Sequence, residues 1–217
     1  MFANIRRYQL HGGGALDELT RRVDEGFAEE ISVQPGFVSY EFIDCGSGEV
    51  MTISVFATAE AAEASREHAR RWSDENLDDF KFTRSEPLRG EVLVSRAAEK
   101  ILAPGHARAR RRFASIRRYA LRRGAIEELM HVVDDVFADR IEALEGFGAY
   151  HALDCGGGEI VSISVLRDQA TAEESDELAL AFVRDQLESF DIAPTEVIGG
   201  EVVVSRAMAA VLEPAHA

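Results

Sequence analysis

FANIRRYQL, Phe2–Leu10, recurs as FASIRRYAL, Phe113–Leu121, and the rest of the chain repeats with it. PGFVSYEFIDCGSGEV (Pro35–Val50) returns as EGFGAYHALDCGGGEI (Glu145–Ile160), and GEVLVSRA (Gly90–Ala97) as GEVVVSRA (Gly200–Ala207). The tails match as well: SRAAEKILAPGHA closes the first half and SRAMAAVLEPAHA the second. Self-similarity of this length takes precedence over any single-element assignment. Copy one therefore covers residues 1–107 and copy two residues 113–217, with the linker RARRR, Arg108–Arg112, between them. Two repeats are too few for a solenoid and point to a paired two-domain body.

Each copy spells β-α-β-β-α-β. Ile5–Leu10 is rich in β formers and stops at Gly12-Gly13-Gly14. Leu16, Leu19, Val23, Phe27 and Ile31 then fall at helical spacing, repeated by Ile126, Leu129, Val133, Phe137 and Ile141. Pro35-Gly36 and Gly146 end this helix. Phe37–Ile43 and Val50–Phe56 read as strands joined by a Gly-rich turn, Asp44–Gly48. Thr58 is placed to cap a second helix running to Asn76, and Val92–Ser95 is the last strand. The order is the ferredoxin-like, or split β-α-β, topology of an α+β protein. With Asp44 opposite Glu49, Tyr40 should face Ile53 on an apolar, helix-bearing side, and Ser39, Ser54, Glu41 and Thr52 should share the other. That mixed second face is expected to meet the sister copy's sheet.

Composition narrows the function classes. Hydrophobic residues at 46% are those of a globular chain, and a net charge of -15 disfavours nucleic acid or an anionic membrane as partner. No run approaches the roughly 18 apolar residues of a membrane span. The N-terminus lacks a signal-peptide pattern, and two cysteines, Cys45 and Cys155, suit a reducing compartment, so a cytoplasmic location is expected.

The PGF-x-x-Y-x-x-x-D-x-G-x-G-E hairpin, the S-V strand after it and the A-E-x-S-x-x-x-A helix resemble the antibiotic-biosynthesis-monooxygenase (ABM) type of the dimeric α+β barrel superfamily. The resemblance covers nearly all of both copies. It implies two ferredoxin-like units forming an intramolecular dimeric α+β barrel, a pseudo-dimer within one chain, with a further homodimer left open. It also implies a pocket in each unit between sheet and helices, and activities that include cofactor-free oxygenases and haem-degrading enzymes.

Trp72, the only tryptophan, shares a face of the second helix with Ser65, His68, Ala69 and Asn76. The resemblance places a pocket-lining Asn and Trp on this helix, but here His68 precedes Trp72 and Asn76 follows it. Copy two has Leu178 and Phe182 instead, so the pairs serve equally as core filling. The Asn, Trp and ligand His that haem degradation needs together are in neither copy, and no haem, flavin or other cofactor is expected. Arg6 and Arg7 alternate across the first strand, so one of them can reach a pocket to hold an anion or enolate; Arg7 is taken as that residue, with a surface salt bridge as its other reading. Tyr40 lies on the helix side, as a satisfied core phenol or a substrate contact.

Other constellations carry less. His151 falls near Ser162 and Ser164, yet no carboxylate orients it and no strained elbow presents the serine, so nucleophilic catalysis is not expected. Cys45 and Cys155 read as turn residues and not as a disulfide. The six histidines lack ligand spacing, so no metal site is expected. Gly12–Gly14 lacks the pattern of a dinucleotide loop. The expected ligand is a small hydrophobic or aromatic molecule, held by Trp72, His68, Tyr40, Arg7 and Asn76 in copy one. The expected function is a cofactor-independent monooxygenase-like oxidoreductase acting on an aromatic or polyketide-like substrate. The alternative is a non-catalytic binding or stress-related module of the same fold.

Overall fold

The computed structural model describes residues 1–11, 15–98 and 112–208. Gly12–Gly14, most of the Arg-rich linker and the tail histidines His106 and His216 lie outside the described residues. The protein has a mixed α+β fold in two compact units that do not coincide with the two copies. Unit 1 is Met1–Arg89 together with the chain from Val202 onward, and unit 2 is Gly90–Glu201.

In unit 1, β1 (Phe2–Leu10) pairs antiparallel with β3 (Glu49–Phe56), which pairs with β2 (Phe37–Gly46). A short β4 (Phe82–Arg84) pairs antiparallel with the Tyr8–Leu10 end of β1. The first helix is interrupted: α1 (Ala15–Arg22) passes through a π-helical turn (Val23–Phe27) into α2 (Ala28–Ser32). Periodicity foresaw one continuous helix, and the π turn was not legible in it. The second helix, α3 (Ala59–Asn76), begins where expected, with the Thr58 hydroxyl accepting from the Ala61 N–H at 3.2 Å.

Unit 2 repeats these elements with β6 (Arg112–Arg123), α4 (Ile126–Val132), a π turn (Val133–Ala138), α5 (Asp139–Glu142), β7 (Phe147–Gly156), β8 (Glu159–Leu166) and α6 (Gln169–Gln186). Asp168 caps α6 as Thr58 caps α3.

The end of the last strand of each copy belongs to the other copy's unit. β5 (Leu88–Ala97) pairs with β7, and its Val94 enters the unit 2 core with Tyr150 and Phe182. The end of β9 (Asp191–Ala207) lies beside β2, and its Val204 enters the unit 1 core with Tyr40 and Trp72. Equivalent backbone bonds close the two additions, Ala98 N–H to the Gly148 carbonyl at 2.9 Å and Met208 N–H to the Val38 carbonyl at 3.0 Å. Arg206 then reaches Asp24 and Glu29 of the first helix, as Arg96 reaches Asp134 and Glu142 of its counterpart. Both last strands are longer than the sequence suggested. In copy one β4 and β5 are separate elements, with Pro87 between them, whereas β9 runs unbroken with Val197 at the same place. Val204→Ala is accordingly expected to cost roughly 2 kcal/mol and to be sensed by Trp72 fluorescence during denaturation, although the two residues come from different copies.

The hairpin register differs from expectation by one residue. Asp44 faces Val50 and Gly46 faces Glu49, with a bulge between them, so Tyr40 stands opposite Ser54 and Phe42 opposite Thr52. A one-residue slip exchanges the two faces of a partner strand. Thr52 and Ser54 therefore lie on the helix side with Tyr40, and Ile53 and Val55 on the other. The same bulge and pairing recur in β7–β8.

Candidate functional site

The helix side of the unit 1 sheet does not pack solid. Between it, the π turn and α3 lies a cavity of about 60 Å³ that opens to solvent. Leu10, Leu19, Val23, Phe27, Phe42, Val50, Leu77 and Phe82 make its wall apolar, and Trp72 closes one side. Aromatic rings order the wall: Phe27 lies 5.2 Å from Tyr40 and 5.3 Å from Trp72, centroid to centroid, and Tyr8 meets Phe82 edge-on at 5.6 Å. The π turn makes room for the indole. Gly26 sits so close to it that a Cβ there would lie 3.0 Å from Trp72 Cζ2. Copy two has Val136 at this position and the smaller Phe182 opposite.

Into this apolar space the sheet presents a cation. The register puts Arg6 beside Thr52 and Tyr8 beside Val50, and Arg6, Tyr8, Tyr40 and Thr52 all line the cavity. Arg6 Nη2 is buried with no hydrogen-bond partner, and so are Thr52 Oγ1 and Ser54 Oγ on the same face. Burial lowers the Arg6 guanidinium from its ordinary value, and the positive charges of Arg66 and Arg84 add to that, against an offset from the Tyr8 and Tyr40 phenols. It remains a cation at any neutral pH. Burial likewise pushes the Tyr40 phenol well above its ordinary value, so it is a neutral donor. An arginine whose Nη2 has no hydrogen-bond partner, two phenols and the orphaned Thr52 hydroxyl thus border one aromatic-lined space, polar groups whose burial is costly while they stay unpaired.

The expected site residues are partly brought together. Trp72 and Tyr40 line the cavity. Arg7 does not: it stands opposite Met51 on the other face of the sheet and pairs with Glu49, and Arg6 holds the position foreseen for it. His68 is stacked on Phe27 at 6.0 Å with Nε2 3.4 Å from Glu30 Oε2, outside the lining. Asn76 caps its own helix, its amide donating to the Trp72 carbonyl at 2.9 Å.

Unit 2 has a smaller cavity of about 40 Å³, lined by Tyr119, Phe137, Tyr150, Ser162 and Phe182 among others. Its strand arginine, Arg117, is not in that lining. Arg117 Nε donates to Asp176 at 2.7 Å, Nη1 to Ser164 at 2.9 Å and Nη2 to Ser175, and the side chain is 2% exposed.

His151 does not meet Ser162 or Ser164, because β7–β8 pairing puts it opposite Ile163 on the other face. Its Nδ1 lies 3.0 Å from Ser95 Oγ of β5. Burial pushes the imidazole down to about 4. As pH falls through the ordinary value near 6.5 the unfolded chain takes a proton that the folded one refuses until about 4. Stability is then expected to fall across this window by on the order of 3 kcal/mol, and His151→Gln to flatten that part of the pH profile of denaturant unfolding. Cys45 and Cys155 are free thiols, raised to about 12 by burial first and neighbouring carboxylates second. Among the described residues no three metal-ligating side chains cluster, and no helix is long and apolar enough to cross a membrane.

No protein-family model matches the sequence, and no curated protein is detectably similar to it. Solved structures do match. A "putative monooxygenase" of Fusobacterium nucleatum superposes with a TM-score of 0.72 at 7% identity, covering 95% of this chain and 94% of that one. One from Lactobacillus acidophilus gives 0.64 at 12% identity, covering 95% and 97%. An anthrone oxidase-like protein gives 0.57 at 14% identity, covering 100% and 96%. Chlorite dismutases share the fold too. At these identities the likeness shows the fold alone.

Proposed function

We propose that the chain is a tandem pair of ABM-like, ferredoxin-like units whose unit 1 cavity binds an aromatic or polyketide-like molecule as its enolate or phenolate and carries out its oxygenation without a cofactor. The observation that carries this reading is the unpartnered Arg6 guanidinium inside an aromatic wall. A methylene flanked by aromatic rings and a carbonyl becomes acidic when its enolate oxygen meets a buried cation. The resulting carbanion is electron-rich enough to reduce O₂ itself. The methylene keeps one oxygen atom as a carbonyl, and the other leaves as water with the two methylene hydrogens, so no external reductant enters. Arg6 holds the developing oxyanion, Tyr8 and Tyr40 donate to it, and the apolar wall excludes bulk water. The names of the fold neighbours, monooxygenases and an anthrone oxidase-like protein, support this chemistry.

Among the described residues the lining contains no histidine, cysteine or methionine side chain. Among the described residues it also contains no carboxylate or imidazole to act as base, and on that ground a second reading is a binding module without turnover. An oxygen electrode with 1,8-dihydroxyanthrone separates the two. The oxygenase reading expects O₂ uptake above the buffer rate, one molecule per molecule of substrate, with the corresponding quinone as product. Saturable quenching of Trp72 with no O₂ uptake would leave only the binding module.

A further inference from the structure

The two units carry the same strand arginine and use it oppositely, and the cause can be traced to two positions. In unit 2, Asp176 of α6 accepts from Arg117 Nε at 2.7 Å and from Ser115 Oγ at 2.6 Å. Ser175 takes Arg117 Nη2, and the guanidinium is drawn between strand and helix, away from the cavity. In unit 1 the repeat puts Arg66 where Asp176 stands and Asn4 where Ser115 stands. Arg66 turns outward to Glu63, bringing no counter-ion to Arg6 and adding repulsion. The Asn4 amide donates to the Ala62 carbonyl at 3.0 Å and approaches Ser65 Oγ at 3.5 Å, taking the serine that Arg117 uses in the other unit. Ser54, the equivalent of Ser164, is left without a partner. Arg6 thus has neither carboxylate nor serine to hold it, and lines the cavity instead.

We infer that the exchange of Asp176 for Arg66, assisted by Asn4, is the specificity determinant that makes this a one-site protein: unit 1 takes an aromatic anion, and unit 2 has its cation closed off by an internal carboxylate. This rests on the cavity assignment above but not on oxygenation. Grafting the unit 2 solution into unit 1 tests it.

Arg66→Asp is expected to pair Arg6 internally. The thermal midpoint should rise by a few degrees without any ligand, and affinity for 2-naphthoate, read by Trp72 quenching, should fall at least about 30-fold. Arg66→Ala supplies no carboxylate and should leave affinity within about 3-fold. Reciprocally, Asp176→Ala is expected to lower the midpoint and to raise 2-naphthoate stoichiometry in equilibrium dialysis from one to two per chain. Unchanged affinity and midpoint in Arg66→Asp would overturn the inference, as would a loss in Arg66→Ala equal to that in Arg66→Asp, which would make Arg66 a direct contact. Two bound molecules in the unaltered protein would overturn it as well. A wild-type protein that binds 2-naphthoate once but consumes no O₂ with the anthrone sinks the oxygenase reading and leaves this one standing. If it binds no aromatic anion, the cavity reading fails, and the midpoints alone then decide whether residue 66 governs the pairing of Arg6.

Discussion

Arg6→Met is expected to abolish aromatic-anion binding and, at the same time, to make the protein more stable. Methionine keeps most of the unbranched apolar stem while removing the charge, so the wall of the cavity is preserved. What disappears is a buried cation with an unpartnered Nη2 and two positive neighbours. A charged donor left unsatisfied in the interior costs about 1–3 kcal/mol, and relieving it should appear as a gain of that order in denaturant unfolding. Two charge-assisted hydrogen bonds to a ligand oxyanion are worth about 3 kcal/mol or more together, so affinity for the anthrone anion should fall by about 100-fold or more. The matched substitution in the other copy, Arg117→Met, should go the opposite way. It strands Asp176, Ser164 and Ser175, which all hold Arg117 now, and is expected to cost about 3–5 kcal/mol with no effect on binding. Equal stability changes in the two variants would show that the two arginines do the same job, and the site would have to be sought elsewhere.

Gly26→Val and Trp72→Phe should each weaken unit 1 and rescue each other. A Cβ at Gly26 comes to 3.0 Å from Trp72 Cζ2, and valine adds two methyl groups beyond it. The indole must then move into the cavity, at a cost of about 1–3 kcal/mol, with ligand binding lost. Trp72→Phe alone leaves a void beside Gly26 and costs a similar amount. Together they reproduce the Val136 and Phe182 pair of copy two, where the phenylalanine is 4% exposed and packs 5.0 Å from Phe137. A double-mutant cycle followed by circular dichroism should give a coupling of about 2 kcal/mol. Additive effects would mean that the glycine is not there for the indole.

Most of the secondary structure could be read directly, because the repeat displayed each element twice. The Thr58 cap, the span of α3 and the helix-side placement of Tyr40 came from spacing and composition alone. The site was less legible, for a specific reason. A bulge at Cys45 is silent in the sequence, and without it Thr52 and Ser54 fall on the wrong face. The partner strand then gives no reason to prefer Arg6 over Arg7. One clue was available: Asp176 against Arg66, a reversal of charge within otherwise matching helices, marked the two arginines as differently paired. The π turns had no comparable signal, since Gly26 and Val136 both fit an ordinary helix.

The exchange of last strands has a consequence for how such a chain can change over generations. A duplicated gene whose second product is spare normally drifts until it is lost. Here copy two cannot be spare, because its residues Val202–Ala207 complete the sheet and core on which Trp72 and Tyr40 rest. Its own arginine, Arg117, sits in an internal salt bridge with Asp176, while GEVVVSRA reads almost letter for letter as GEVLVSRA. Under the function proposed above, the halves can differ at the strand arginine while the end of each last strand still completes the other's unit.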